Sequence, residues 1–268
     1  MVAPRLPILV VGAGNLGGAL IAGWRRSGTV PASDMILRDP HPGAEALAAT
    51  RDGARLNPPD RELAESRTVL FAVKPQIWRE AAGEIAPLLA PDAAVLSVVA
   101  GVSSTSLAGI FGVRPIGRLM PTMASAIGQG AVSFWGPDAD LCQQIANLCQ
   151  PLGAVVQLDD ETLLHAATAA AGSAPAYLYA FIEALEAAGA AAGLPPAAAA
   201  PLARAAITGA AALLAQSQDD PAELRRQVTS PGGTTEAALM VLAGPGGLEP
   251  LLARAVAVAT ARSRELGG

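Results

Sequence analysis

Lysine is nearly absent from this chain: Lys74 stands alone against seventeen arginines. Histidine is almost as scarce, with His41 and His165 only, and no group of Cys, His, Asp and Glu falls at metal-ligand spacing. That poverty argues against a catalytic zinc site and disfavours hydrolases built on a histidine base or a carboxylate pair. Cys142 and Cys149 are the two cysteines. They lie about two turns apart on a predicted helix, too far for a disulfide within it, and read as buried thiols in a reduced compartment. The net charge is −5 with no basic cluster, since Arg25–Arg26 and Arg225–Arg226 are isolated pairs. A nucleic-acid partner is therefore not expected.

Long runs of large apolar residues are missing too. The chain is 51% hydrophobic, but much of that is alanine, which adds little apolar area per residue. The uncharged stretch Ala166 to Ile182 is built largely from Ala, Gly, Ser, Thr and Pro, a poor composition for crossing a membrane. The opening MVAPRLPILVVGAGNLGG runs from a short apolar segment straight into a glycine motif. It reads as a first strand rather than a secretory signal, and the protein is expected to be cytoplasmic.

The 268 residues divide into two patterns. Up to about residue 159, strand-like runs alternate with helical stretches. The expected strands are Ile8–Val11, Met35–Leu37, Val69–Val73, Val95–Val99, Ile116–Met120, Ala131–Trp135 and Val155–Leu158. Helices are expected at Asn15–Ser27, Gly43–Ala49, Pro75–Leu89 and Ala139–Gln150. Such alternation predicts βαβ units and a mostly parallel sheet, and nearly all-apolar strands at Val69 and Val95 fit a sheet covered on both faces. From 160 to 268 strand signals vanish. Helices are expected at Glu161–Ala171, Ala176–Ala192, Ala197–Gln216, Pro221–Val228, Thr234–Ala243 and Leu248–Leu266, with Pro196 and Pro221 at favourable helix starts. A thin, alanine-rich helical unit buries little apolar area alone, which predicts pairing with a second copy.

The strongest local signal is Gly12-Ala13-Gly14-Asn15-Leu16-Gly17, placed between a predicted strand and a predicted helix. Gly12 allows the tight turn, Gly14 lets a pyrophosphate approach the backbone, and Gly17 lets helix and sheet pack closely. The helix N-terminus favours the negative charge. Arg38 and Asp39 follow the second predicted strand and give opposing cues. The acid suits a free ribose 2′-hydroxyl, as in NAD, whereas the arginine suits a 2′-phosphate, as in NADP. Ala72, Val73, Lys74 and Pro75 end another strand, which turns the single ammonium towards the crevice where α/β sheets bind ligands. The segments SVVAGVS (97–103) and Met120-Pro121-Thr122 end two more strands on the same edge. In the helical half, Ser230-Pro231-Gly232-Gly233-Thr234-Thr235 opens a helix with several free amides and two hydroxyls, an anion site sized for a carboxylate or else a plain cap with a flexible turn.

Taken in order, GAGNLGGAL, AVKPQ, SVVAGVS, RLMPT, GSAPAYLYAFIEALEAAGAAAGL and VTSPGGTTEAAL make a chain that resembles pyrroline-5-carboxylate reductase over essentially its whole length. The resemblance implies an α/β, N-terminal Rossmann-type doubly wound sheet followed by an all-α dimerisation domain. It implies reduction of 1-pyrroline-5-carboxylate to proline by NADP in its reduced form, with NAD possible, in a homodimer or higher homo-oligomer. It assigns the cofactor to Gly12, Gly14, Asn15, Leu16, Gly17, Arg38, Asp39, Ala72, Val73, Lys74, Pro75, Met120, Pro121 and Thr122. It assigns the substrate to Ser230, Gly232, Gly233, Thr234 and Thr235, with Thr235 near the ring nitrogen as the catalytic residue. The chain departs from the family pattern at Thr122, where an Asn is usual; at Ala171-Gly172-Ser173-Ala174, where Ser-Gly-Ser-Gly is usual; and at Pro58-Pro59-Asp60, near an expected Asn.

The implied chemistry needs little acid–base machinery, because a protonated cyclic imine is already electrophilic; this matches the scarcity of histidine. Other readings of the same motifs are a reductase of a related cyclic imine, a 3-hydroxy-acid dehydrogenase and a dinucleotide-binding protein without catalysis. A dehydrogenase of the hydroxy-acid type would place a lysine in the helical half, which has none.

Overall fold

A computed structural model describes residues 5–266. The chain forms two compact units, one holding the residues through Gly172 together with those from Ala259 onward, the other Ser173–Val258.

The first unit is built on an eight-stranded sheet. Its strands are β1 (Ile8–Val11), β2 (Met35–Arg38), β3 (Arg55–Leu56), β4 (Thr68–Phe71), β5 (Ala94–Ser97), β6 (Ile116–Pro121), β7 (Gly130–Trp135) and β8 (Gly153–Gln157). They lie in the order β3-β2-β1-β4-β5-β6-β7-β8, and every neighbouring pair is parallel except β6 and β7. Alternation along the strands separates two cores. Ile8, Val10, Met35 and Leu37 face one side with Leu70 and Leu96. Leu9, Val11 and Ile36 face the other with Val69 and Phe71. Because successive side chains point to opposite faces and both faces are covered, these strands are apolar throughout rather than alternating with polar residues.

The helices of this unit are α1 (Asn15–Ser27), α2 (Ala44–Arg51), α3 (Trp78–Ile85), α4 (Ser104–Phe111), α5 (Ala139–Cys149) and α6 (Leu163–Ala167). Among its strands and α-helices, two escape sequence reading. One is β3, which has two residues. The other is α4, whose signal is local: the Ser103 hydroxyl accepts the Ser106 amide as a helix cap. Two expected helices are shorter than their patterns. The one expected from Pro75 begins at Trp78, because Lys74 to Ile77 form a turn closed by the Ile77 amide on the Lys74 carbonyl at 3.1 Å. The one expected over Glu161–Ala171 is α6 followed by a π turn at Thr168–Gly172.

The second unit is helical, with α7 (Ala174–Ala191), α8 (Pro196–Gln216), α9 (Pro221–Gln227), α10 (Thr234–Leu242) and the start of α11 (Leu248–Glu265). Small residues let α7 and α8 approach: a Cβ added to Gly189 would lie 3.7 Å from the Ala199 Cβ. Among the described residues, α7, α9 and α10 bury none of their own and α8 buries only Ala199 and Ala203. By length and composition α8 is apolar enough to cross a membrane, with a mean hydropathy of 1.5, although most of that comes from alanine.

Candidate functional site

The glycine loop joins β1 to α1 where the chain's strand order switches, since β1 lies between β2 and β4. In doubly wound sheets the crevice outside the carboxyl ends of the strands at that point binds ligands. Gly12 has φ +90°, and a Cβ there would lie 2.5 Å from the Ala72 carbonyl oxygen. A Cβ on Gly17 would come still closer to the Gly12 carbonyl, so both glycines are required by packing. Gly14 differs. A Cβ there meets nothing within 4 Å, and its open face is space that a phosphate group can fill against the start of α1.

A cleft of about 890 Å³ opens at this place. Its walls bring together Gly12, Gly14, Asn15 and Leu16 from the loop, Arg38 and Asp39 from the end of β2, and Ala72, Val73, Lys74 and Pro75 after β4. Val98 and Ala100 of the 97–103 segment also reach it, as do Glu80 and Glu84 of α3, which sequence reading did not single out. Lys74 is exposed at the rim. The residues present thus fit a dinucleotide, in both cleft size and the bare backbone at Gly14.

Beside the end of β2 the structure adds Asn57, whose main chain takes φ +47°, a left-handed conformation that Asn tolerates better than most residues. Its carboxamide holds the Asp39 main chain from both sides, accepting the Asp39 amide at 3.0 Å and donating to the Asp39 carbonyl at 2.8 Å. An asparagine is therefore present beside the Pro58-Pro59-Asp60 departure. Arg38 donates to Asp60 at 3.0 Å, on an ion pair whose acid is more than half exposed.

Met120, Pro121 and Thr122 do not line this cleft. Thr122 is buried and stitches β6 to β7: its hydroxyl accepts the Ala131 amide at 3.0 Å. Met120 packs against Gly172, where an added Cβ would lie 3.1 Å from the sulfur.

Deeper in the same unit lies a polar node that no motif announced. Arg118 is 5% exposed and pairs with Glu161 at 3.0 Å. Glu161 also receives the Ser104 amide at 2.6 Å and the Ser104 hydroxyl at 2.5 Å. It thereby ties β6, the start of α4 and the approach to α6 together. Burial pushes the Arg118 guanidinium below its usual pKa, with the Glu161 pair opposing the shift. His165 on α6 faces this node and meets the Ser263 hydroxyl at 3.0 Å. Burial, then the Arg118 and Arg264 charges, lower the His165 pKa.

In the second unit, the turn at Ser230–Gly233 leads into α10. Gly232 has φ +69°, and the Gly233 amide donates to the Ser230 carbonyl at 3.0 Å. The Gly232 amide donates to the Glu236 carboxylate at 2.6 Å. Ser230, Gly232, Thr234 and Thr235 are exposed and Gly233 is half-buried. No side chain caps α10, so amides of its first turn remain available to an incoming acceptor.

Residues 161–266 match the family described as pyrroline-5-carboxylate reductase dimerisation, and residues 7–101 match the one described as NADP oxidoreductase, coenzyme F420-dependent. The chain is 36% identical to the pyrroline-5-carboxylate reductase of Pseudomonas aeruginosa, covering 99% of this chain and 98% of that one. Among solved structures, the pyrroline-5-carboxylate reductase of Coxiella burnetii is similar with a TM-score of 0.88 at 26% identity, covering 98% of this chain and 99% of that one. The Plasmodium falciparum pyrroline carboxylate reductase with NADP bound shares the fold with a TM-score of 0.84 at 22% identity, and each chain is covered in full.

Proposed function

We propose a working site from one premise: the chain belongs to the pyrroline-5-carboxylate reductase family. It is an NAD(P)H-dependent oxidoreductase that reduces the imine of 1-pyrroline-5-carboxylate, giving L-proline. The observation that carries this reading is the end-to-end similarity, which joins a dinucleotide cleft and the Ser230–Thr235 turn in one chain.

The cofactor supplies the hydride that adds to the imine carbon when it is bound. The chain's own part is to hold two ligands. The glycine loop and the start of α1 take the pyrophosphate, and Ala72 to Pro75 form the opposite wall. NADPH is the preferred form, because Arg38 sits at the ribose end with a weakly held partner that a 2′-phosphate can displace. Met120, Pro121 and Thr122 act by shaping the β6–β7 edge. Ser230, Gly232, Gly233, Thr234 and Thr235 take the substrate carboxylate. The Glu236 oxygen on the Gly232 amide supports this role, since it is itself a carboxylate oxygen received by that turn. Thr235 places its hydroxyl near the ring nitrogen, which enters protonated and leaves as an amine. Holding both partners in reacting geometry is worth up to ~7–11 kcal/mol in well-oriented systems.

The exposed apolar faces of the helical unit meet a second copy, making a homodimer or larger homo-oligomer in the cytoplasm. This is also the occupant that suits α8, because the matched family is described by dimerisation and α8 is apolar through alanine rather than large side chains.

Loss of NADPH and NADH absorbance with pyrroline-5-carboxylate tests the activity and the cofactor preference together. Thr235→Ala is expected to raise the imine KM and slow turnover, with cofactor affinity kept; unchanged kinetics would remove Thr235 from the site.

A further inference from the structure

Asp39 stands where an acid is ordinarily read as the acceptor of ribose hydroxyls. Its carboxylate is already engaged. Oδ2 accepts the Ala13 amide at 2.6 Å and Oδ1 accepts the His41 amide at 2.7 Å. Ala13 is the second residue of the glycine loop, so one of these bonds reaches 26 positions back along the chain to the element that faces the pyrophosphate. Two main-chain bonds flank it: the Gly12 amide donates to the Arg38 carbonyl at 2.9 Å, and the Gly43 amide to the Ala13 carbonyl at 3.2 Å. The Gly12–Ala13 stretch is thus stitched to the β2–α2 connection by three bonds, of which the Asp39 bond is the charged one. Asn57 in turn fixes the Asp39 main chain on both its amide and its carbonyl.

We propose that Asp39 is a positioning residue that latches the glycine loop in its phosphate-binding shape, and that discrimination at the ribose belongs to Arg38. The latch serves both cofactors alike. A bond to a charged acceptor holds a loop amide more firmly than a neutral one, and a loop held before binding does not lose that ordering on binding. A side chain that instead received the ribose hydroxyls would separate NADH from NADPH, because a 2′-phosphate and a carboxylate repel. The inference rests on the reading of this cleft as the cofactor site.

Asp39→Asn is the informative variant. Its carboxamide has one oxygen, so it satisfies one of the two amides and turns an NH2 towards the other. NADH and NADPH affinities are measured by fluorescence titration, with the thermal midpoint of the free protein and the imine KM at saturating cofactor. Latching predicts that both dissociation constants rise by a common factor, roughly tenfold. Their ratio and the imine KM stay as in the parent, and the midpoint falls. A tenfold shift of the ratio towards NADPH would identify a ribose ligand and overturn the proposal, as would unchanged affinities. Should the parent bind neither cofactor, the cofactor reading fails by itself. The latch is then judged on the midpoint: a fall for Asp39→Asn supports it, and no change overturns it. If Asp39→Asn does not fold, Asn57→Ala loosens the same aspartate from its main chain. It is expected to weaken both cofactors equally, and a change confined to one of them would overturn the proposal.

Discussion

Gly14 and Gly17 sit three positions apart in one motif, yet the structure sets them in different surroundings. A side chain at Gly14 enters open cleft space, whereas a Cβ at Gly17 collides with the Gly12 carbonyl. Gly14→Val is therefore expected to abolish the fluorescence response to NADPH. It should cost no more than about 1 kcal/mol of stability, the scale of losing a good residue at a helix start. Gly17→Ala should lower stability by about 1–3 kcal/mol, because α1 must move away from the loop. Urea unfolding of both variants beside the titration checks this. Equal stability losses in the two would contradict the assignment of one glycine to ligand and the other to packing. These glycines were legible in the sequence because their spacing is a local pattern. Asn57 was not, because its role depends on a two-residue strand that brings it beside Asp39, and no periodicity announces a strand so short. Met120 to Thr122 were legible as a motif at a strand end, but the bond that the Thr122 hydroxyl accepts from the Ala131 amide was not, because it depends on the antiparallel pairing of β6 with β7.

Among elements, the strands with apolar residues on both faces were readable to within two residues, since burial on two sides leaves an unbroken apolar run. Helices of the second half were readable from proline starts and small-residue faces. The Glu161 node was not, because it links residues 43 and 57 positions apart and its members look like ordinary polar residues in sequence. The node gives α6 a pH dependence. His165 has a folded pKa below the ordinary value of 6.5, through burial first and then the arginine charges. The unfolded chain therefore binds the proton more readily than the folded one, and stability rises with pH. The contribution is complete above 6.5 and erodes as pH falls below it until the folded pKa is passed. Thermal midpoints of the parent should thus decline as pH drops from about 7 to 5.5, near the free-histidine range. His165→Gln, which keeps a polar group for Ser263, should flatten that decline. An equal slope in the variant would place the titration elsewhere.

At the scale of the whole molecule, the alanine that raises the hydrophobic fraction also limits what the helical unit can bury by itself. Alanine faces pack closely but bury little area, so the helical unit leaves large side chains in water: Met240 is 75% exposed, Val241 76% and Leu213 66%. Each such side chain gains on the order of 1.5–3 kcal/mol when fully buried, which is the driving force for the proposed pairing with a second copy. An aspartate in that face would carry an unpaired charge into the contact, which costs far more than it does on a free surface. Val241→Asp is accordingly expected to sediment as a monomer at concentrations where the parent is a dimer or larger. The parent's thermal midpoint should rise with protein concentration and the variant's should not. NADPH binding should survive in the variant, because every residue of the cleft belongs to the first unit. A parent that sediments as a monomer at micromolar concentration would refute the pairing, and a Val241→Asp protein that remains paired would move the contact to another face of the helices.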